Sequence, residues 1–388
     1  MKNILTLNSI SPVINDVFDS TYNVASDVEK PIGIMLRSFK MHDYVLDDNT
    51  VAVARAGAGV NNIPVDEYAK SGVVVFNTPG ANANAVKELV LCALLLGSRK
   101  IVPAIEWTKT LKGMGDEVGK LVEKGKADFV GGEILGKKLG VIGLGAIGAL
   151  VANSAIDLGM QVYGYDPYLS VGAALRLSNQ IKVEKNLDDI LKQCDYITIH
   201  IPYISSQNKG FINAGNLRKM KDGVVIINCA RGELVDNNDI IKATESGKVA
   251  RYVVDFPADE IIGKENIICI PHLGASTPEA EDNCAIMAAK QLVDYIENGN
   301  VINSVNYPNC SMPRSTEFRL VILHKNISNI LAQITGAVGK EKINISNMSN
   351  QSKGDYAVTI LDVEKKVSSA SIDHLSAVEG IIKIRSIN

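Results

Sequence analysis

The sequence predicts an α/β chain with doubly wound parallel sheets, followed by a small unit of β-α-β-β-α-β order. Three observations carry this. Short β-type runs at 51–54 and 73–76 alternate with helical stretches such as 85–96, and the alternation resumes from 139 to 270, the rhythm of βαβ units around parallel sheets. A strand-like run at 138–142 leads straight into a glycine turn and a helical pattern at 149–158. After residue 317 the periodicity changes to short strands and two short helices.

Composition limits what this chain can be. At 388 residues it exceeds one small fold, and 46% hydrophobic with 21% charged residues is ordinary globular composition. A net charge of −3 without a basic block excludes a nucleic-acid or membrane-surface footprint. The opening MKNILTL turns polar by Asn8 and no run of 18 apolar residues occurs, so neither a signal peptide nor a membrane span is expected and the reading is cytoplasmic. Cys92, Cys194, Cys229, Cys269, Cys284 and Cys310 are scattered without a CxxC, which fits reduced thiols and no metal site.

The remaining elements follow in order. Residues 113–130 are polar and rich in Gly and Lys, and are expected to cross the surface into a second domain. A long helix is expected at 278–298, and 301–313, with Asn, Pro and Ser but no period, reads as a linker. The last unit starts near Glu317, with strands at 319–323, 343–348, 356–362 and 381–387. Its helices are marked by Ile327, Ile330, Leu331, Ile334 and Val338, and by 367–378. This is the ferredoxin-like order.

Residues 143–148, GLGAIG, stand between strand and helix. Gly143 permits the tight turn, Gly145 lets a pyrophosphate approach the backbone, Gly148 lets helix and strand pack closely, and the helix N-terminus offers free N–H groups. Asp166 ends the next strand, with no Arg or Lys in the PYLS that follows. An acid there accepts hydrogen bonds from ribose hydroxyls and repels a 2′-phosphate, so NAD is favoured over NADP.

Oxidation of a hydroxy acid needs a cation for the carboxylate, a base for the hydroxyl proton, and a group that holds the base in its working state. Arg231, in NCARGELVD at 228–236, follows an apolar strand where open α/β sheets bind ligands, and its planar fork grips a carboxylate. His272, in PHLGAST at 271–277, is the natural proton acceptor near neutral pH. Glu260, beyond Asp255, is the candidate that orients it, with Asp259 as the alternative.

GLGAIG, NCARGELVD and PHLGAST resemble the three signatures of the D-2-hydroxyacid dehydrogenase family, and the likeness covers nearly the whole chain. The resemblance implies that Arg231 holds the carboxylate, His272 is the acid/base and Glu260 orients it. It implies two Rossmann-like domains: a discontinuous substrate domain at 1–95 and 285–308, and an NAD domain at 96–284, with a linker at 309–316. Around NAD it places Gly143, Gly145, Ala146, Ile147, Gly148, Asp166, His200, Pro202, Cys229, Ala230, Asp255, His272 and Gly274. Ala146 stands where the family commonly has Arg, and Ile261-Ile262 follow Glu260 where Pro is common.

The HLGAST form and the C-terminal unit are closest to the branch acting on 3-phospho-D-glycerate in serine synthesis. Arg37, Arg55, Ala56, Gly57, Asn77 and Arg231 are then expected at the substrate, with Thr78 adding a polar contact. Residues 317–388 resemble an ACT domain, a regulatory module that pairs edge to edge across subunits, which implies a homo-oligomer, dimer or tetramer. Family members so built bind L-serine through asparagines placed as Asn326 and Asn344 are here. The alternatives are a glyoxylate, hydroxypyruvate or D-lactate dehydrogenase, or a non-enzymatic NAD-sensing protein of the corepressor kind.

Overall fold

The computed structural model describes the backbone of all 388 residues and every side chain except that of Ser205. The chain forms two compact units, Met1–Ala81 with Glu281–Asn388, and Asn82–Ala280.

In the first unit β1 (Lys2–Leu7), β2 (Tyr22–Ala25), β3 (Gly33–Leu36), β4 (Ala52–Arg55) and β5 (Val74–Phe76) make an all-parallel sheet in the order β2-β1-β3-β4-β5. Its central strands are apolar at successive positions because both faces are covered. Leu5, Ile34, Leu36, Val53 and Val75 pack on Met41, Ile63 and Tyr68. Ile4, Met35, Ala52, Ala54, Val74 and Phe76 share the opposite core with the returning helix Pro278–Asn298, through Ala285, Ala288, Ala289, Leu292 and Tyr295. Those five lie at helical i, i+3, i+4, i+7 and i+10 spacing, a single stripe.

The second unit holds β6 (Lys138–Ile142), β7 (Gln161–Tyr165), β8 (Lys182–Val183), β9 (Tyr196–Ile199), β10 (Val224–Asn228), β11 (Val249–Val254) and β12 (Ile267–Cys269). They run parallel in the order β12-β11-β10-β9-β6-β7-β8. The order reverses beside β6, which creates the topological switch point of a doubly wound sheet. Helix Ala83–Ser98 buries Val86, Val90, Ala93 and Leu94 in a core with Val141, Val225, Ile227 and Val253. It therefore belongs wholly to this unit, and the boundary expected at residue 95 falls inside it. Residues 113–130 do not cross between units: they lie within the second one and carry helix Val118–Gly125 between two 3₁₀ turns.

The C-terminal strands β13 (Phe318–Lys325), β14 (Ile345–Lys353), β15 (Tyr356–Val363) and β16 (Ile381–Ile387) form an antiparallel sheet ordered β14-β15-β13-β16. Helices Ile330–Lys340 and Ser369–Ser376 cover one face, on Leu320, Ile322, Leu361 and Val363. The other face is not open. Val321, Leu323, Val358 and Ile360 share the core of the first unit's sheet, so the expected separate module is part of that unit. The expected linker is likewise packed in: Val301 and Cys310 exchange backbone hydrogen bonds of 2.8 Å, Val301 and Tyr307 are buried, and the Asn306 side chain binds Val73 O and Val75 N.

Polar contacts tie the C-terminal sheet to the end of the long helix and to the segment that follows it. Arg319 and Asp362 are fully buried and paired through two bonds, Nε–Oδ1 at 2.6 Å and Nη2–Oδ2 at 3.0 Å. Arg319 Nη1 also donates to the carbonyls of Asn298 and Met312, and Ser315 donates to Asp362 Oδ2 from both N and Oγ. Arg385 caps the end of the long helix at Tyr295 O and Ile296 O. Burial pushes the Asp362 carboxyl up, but Arg319 and Ser315 more than reverse this and hold it below the usual carboxylate range.

Arg319→Met leaves Asp362 buried without its partner and is expected to cost about 3–5 kcal/mol, while replacing both by apolar residues recovers much of the loss. Because the folded carboxyl is depressed, its contribution is present above the unfolded value of about 4 and is lost as pH falls below it. Urea unfolding of wild type and both variants at pH 7 and in acid checks magnitude and sign.

Candidate active site

Chemistry-bearing residues of the second unit lie on segments that leave the carboxyl ends of β6, β7, β9, β10, β11 and β12, as expected for a parallel sheet with a switch point. Gly143 has φ +93°, in the region that favours glycine. At Gly148 a Cβ would stand 1.9 Å from Gly143 O, so only glycine lets helix Ala146–Asp157 start this close to the turn. At Gly145 a Cβ would meet nothing within 4 Å. The turn is thus packed on its protein side and open at Gly145.

Asp166 is half-buried beside this turn. Its Oδ2 accepts from Leu144 N at 3.0 Å and its Oδ1 from Tyr168 N at 2.9 Å. Both oxygens keep further acceptor sites, since an ionised carboxylate has about four. His200 follows β9, its carbonyl against Gly143, and its Nε2 is 3.0 Å from Thr198 Oγ1. Burial pushes its pKa down to about 4, so the ring is neutral at pH 7, and its buried Nδ1 has no partner among the described residues. Pro202 is exposed and its carbonyl accepts from Asn208.

After β10 the chain turns through Cys229, Ala230 and Arg231. Asn228, fully buried, builds this turn: its Oδ1 accepts from Ala230 N and its Nδ2 donates to Arg231 O. Burial pushes the Cys229 thiol up, and the Asp255 charge adds to it, so this cysteine is an inert wall. Arg231 is exposed, and its guanidinium carbon lies 5.9 Å from the centre of the Phe256 ring. His272 meets the same ring, with centroids 4.5 Å apart. Phe256 therefore touches both the cation and the imidazole, and sequence reasoning missed it because an aromatic after a strand reads as core.

The carboxylate beneath this group is Asp255. It is buried, and its Oδ2 would be 3.2 Å from a Cβ at Gly274. Burial pushes its carboxyl up, while the charges of His272 and Arg231 pull the other way. Glu260 is exposed on the turn after β11 and makes no side-chain hydrogen bond or ion pair among the described residues, and Asp259 is exposed too. The structure thus brings Arg231, Asp255 and His272 together, with Glu260 exposed on the turn beyond Asp255.

In the first unit, Arg37 pairs with Glu281 at 2.7 Å, and Arg55 Nε donates to Arg37 O at 3.0 Å. The Arg55 guanidinium lies over Gly57, whose Cβ position is 2.8 Å from Nη1. Ala56 is buried, Asn77 Nδ2 donates to Ala58 O, and Thr78 is buried behind them. Asn326 Nδ2 donates to Gly354 O and Asn344 Nδ2 to Glu364 Oε1, both exposed.

Residues 92–274 match the model of the D-isomer specific 2-hydroxyacid dehydrogenase NAD-binding domain. The D-3-phosphoglycerate dehydrogenase of Haemophilus influenzae is 31% identical over 353 residues, 86% of this chain and 80% of that one. The chain belongs to the D-2-hydroxyacid dehydrogenase family. The Escherichia coli K12 D-3-phosphoglycerate dehydrogenase is 30% identical, covering 91% of this chain and 86% of its own. Among solved structures, a glyoxylate reductase from Paecilomyes thermophila matches with TM-score 0.64 at 24% identity, over 78% of this chain and 98% of that one. D-2-hydroxyisocaproate dehydrogenase matches with TM-score 0.62 at 24% identity, over 79% and 100%.

This dehydrogenase is an NAD-dependent oxidoreductase. The residues present fit the cofactor: the turn is open at Gly145, the first amides of helix Ala146–Asp157 have no intrahelical acceptor, an acid stands at Asp166, and the buried His200 Nδ1 lacks a partner. Among the described residues no cluster could hold a metal ion, and no helix is long and apolar enough to cross a membrane.

Asp166→Ala removes the carboxylate that the sequence assigns to a ribose diol and loosens the Leu144 amide together. It is expected to weaken NAD and to narrow its advantage over NADP. Comparing kcat/KM for both cofactors in both proteins tests this, and an unchanged ratio rejects the role.

Proposed function

We propose that the enzyme oxidises 3-phospho-D-glycerate to 3-phosphohydroxypyruvate, the first step of L-serine synthesis. The observation that carries the reading is the likeness to two bacterial D-3-phosphoglycerate dehydrogenases across at least 80% of each chain. Two neighbouring arginines in the first unit, Arg37 and Arg55, support it, since a phosphorylated acid needs more cations than lactate or glyoxylate does.

In this reading Arg231 grips the substrate carboxylate with its planar fork, and the Phe256 ring fixes where that fork sits. His272 takes the proton from the C2 hydroxyl, and NAD, which the glycine turn and Asp166 would hold, would supply the hydride acceptor for the same carbon. The imidazolium so formed is stabilised by the charge of Asp255 and the face of Phe256. Both Asp255 oxygens are buried without a hydrogen-bond partner among the described residues, so Asp255 offers His272 its charge from beneath, and Glu260, on the exposed turn after β11, keeps the orienting role that the family likeness implies.

His272→Ala is expected to lower kcat by roughly 10²–10⁴ while NAD binding, followed by fluorescence quenching, survives. Near-native turnover of 3-phosphoglycerate would remove His272 from the mechanism.

The C-terminal unit is proposed as an L-serine sensor in a homo-oligomer, with cytoplasmic serine closing a feedback loop. β14 is an edge strand whose outer backbone groups are available to a second copy, and the exposed amides of Asn326 and Asn344 offer donors and acceptors for an amino acid. Activity should fall several-fold with saturating L-serine, and Asn344→Ala should abolish the effect. Truncation at Ser315 cannot serve as the test, because it strips the shared core. Absence of serine binding by calorimetry would leave the unit with an assembly role alone.

A further inference from the structure

The candidate phosphate cation of the first unit already has an anion on it. Arg37 Nη1 and Glu281 Oε1 are 2.7 Å apart, with both side chains about two-fifths exposed, at 41% and 43%. The pair stands in a cluster whose members sense one another. Arg55 Nε and Asn62 Nδ2 both donate to Arg37 O, which pins the backbone that carries the guanidinium. Burial pushes the nearby Cys284 thiol up, Thr78, Arg37 and Arg55 pull it back, and Glu281 adds to the rise. The neighbouring acid, Asp282, is already engaged by Ser11 Oγ at 2.5 Å. Glu281 thus lies in the same small patch as both arginines.

We propose that Glu281 is an internal competitor for Arg37, a carboxylate that a phosphate-bearing substrate displaces and a shorter hydroxy acid does not. This rests on the reading of Arg37 as the phosphate cation. The charge arithmetic favours it. A phosphate monoester carries about −1.5 to −2 at pH 7 and offers three acceptor oxygens, against one unit of charge on Glu281. A half-exposed ion pair is weak, so exchange is easy. A substrate without a distal anion leaves the pair closed and gains nothing from Arg37. Glu281 then sets a threshold that any anion at Arg37 must cross, and a doubly charged phosphate crosses it more readily than a singly charged group does.

The test is steady-state kinetics of the full chain with 3-phosphoglycerate and with D-glycerate, for wild type, Glu281→Gln, Arg37→Ala and the double variant. Glu281→Gln is nearly isosteric at an exposed position and keeps the fold. It is expected to lower the KM for 3-phosphoglycerate roughly three- to fivefold, with kcat within about twofold and the KM for D-glycerate unchanged. In the Arg37→Ala background the same substitution should have little effect, because nothing is left to compete for. If Arg37→Ala raises the KM for 3-phosphoglycerate but Glu281→Gln leaves it unchanged, the competition is overturned and the phosphate reading stands. If Glu281→Gln acts equally with and without Arg37, it works by simple charge repulsion and the proposal fails. If Arg37→Ala leaves the KM unchanged, Arg37 does not hold phosphate and both readings fall.

Discussion

The constraint on which the second unit depends is the reversal of strand order beside β6. Parallel strands joined by right-handed crossovers place their outgoing loops at one end of the sheet, and the reversal spreads the loops of β6 and β9 apart. Everything chemical in this unit is hung from that edge. The glycine turn leaves β6, Asp166 leaves β7, His200 leaves β9, Arg231 leaves β10, Asp255 and Phe256 leave β11, and His272 follows β12. Residues spread over 130 positions of sequence therefore share one edge without any of them having to be near another in the chain. The strands supply rigidity and the turns supply reach, and local devices such as the Asn228 side chain set the final orientation.

The first unit solves a different problem, that of a parallel sheet whose second face the N-terminal segment alone does not cover. The returning helix supplies one layer through its alanine-rich stripe, and the C-terminal antiparallel sheet supplies more through Val321, Leu323, Val358 and Ile360. A buried arginine in the C-terminal sheet would be costly alone. Arg319 is tolerated because every direction it faces offers an acceptor: two carboxylate oxygens and two carbonyls. Asp362 lies beside Arg319 in the same sheet, so the part of this cage that fixes the docking is the pair of bonds from Arg319 to the carbonyls of Asn298 and Met312.

How much of this was legible in the sequence follows from how local each demand is. The glycine turn and the helix after it were readable because φ and close approach act on single residues, and the β-α-β-β-α-β order because its periods are short. The docking of the C-terminal sheet was missed, yet its signal was present. RLVILH in β13 is apolar at both odd and even positions, Leu320 and Ile322 for one face and Val321 and Leu323 for the other. A strand apolar on both faces needs two covers, and its own helices supply one. The boundary at residue 95 was misplaced because the helix that begins at Ala83 gives no sign of which sheet will receive it. Spacing alone could not say which of Asp255 and Glu260 turns inward, since a turn after a strand sends residues five apart either way, and the structure buries Asp255 and exposes Glu260.

The helix Pro278–Asn298 joins these themes within the first unit. Near its start Glu281 meets Arg37, and at its end the carbonyls of Tyr295, Ile296 and Asn298 are held by Arg385 and Arg319 of the C-terminal sheet. From residue 281 to 298 an α-helix advances about 25 Å. It does not bend easily when one flank is packed on a sheet, as this one is through Ala285, Ala288, Ala289 and Leu292. A shift of the C-terminal sheet can then be absorbed only by breaking the arginine contacts or by moving the helix as a body. The first leaves the helix-end carbonyls without their donors, and the second changes the Arg37–Glu281 distance. The charged contacts at the two ends thus bracket a run of Ala285, Ala288, Ala289 and Leu292 that holds the helix on the sheet.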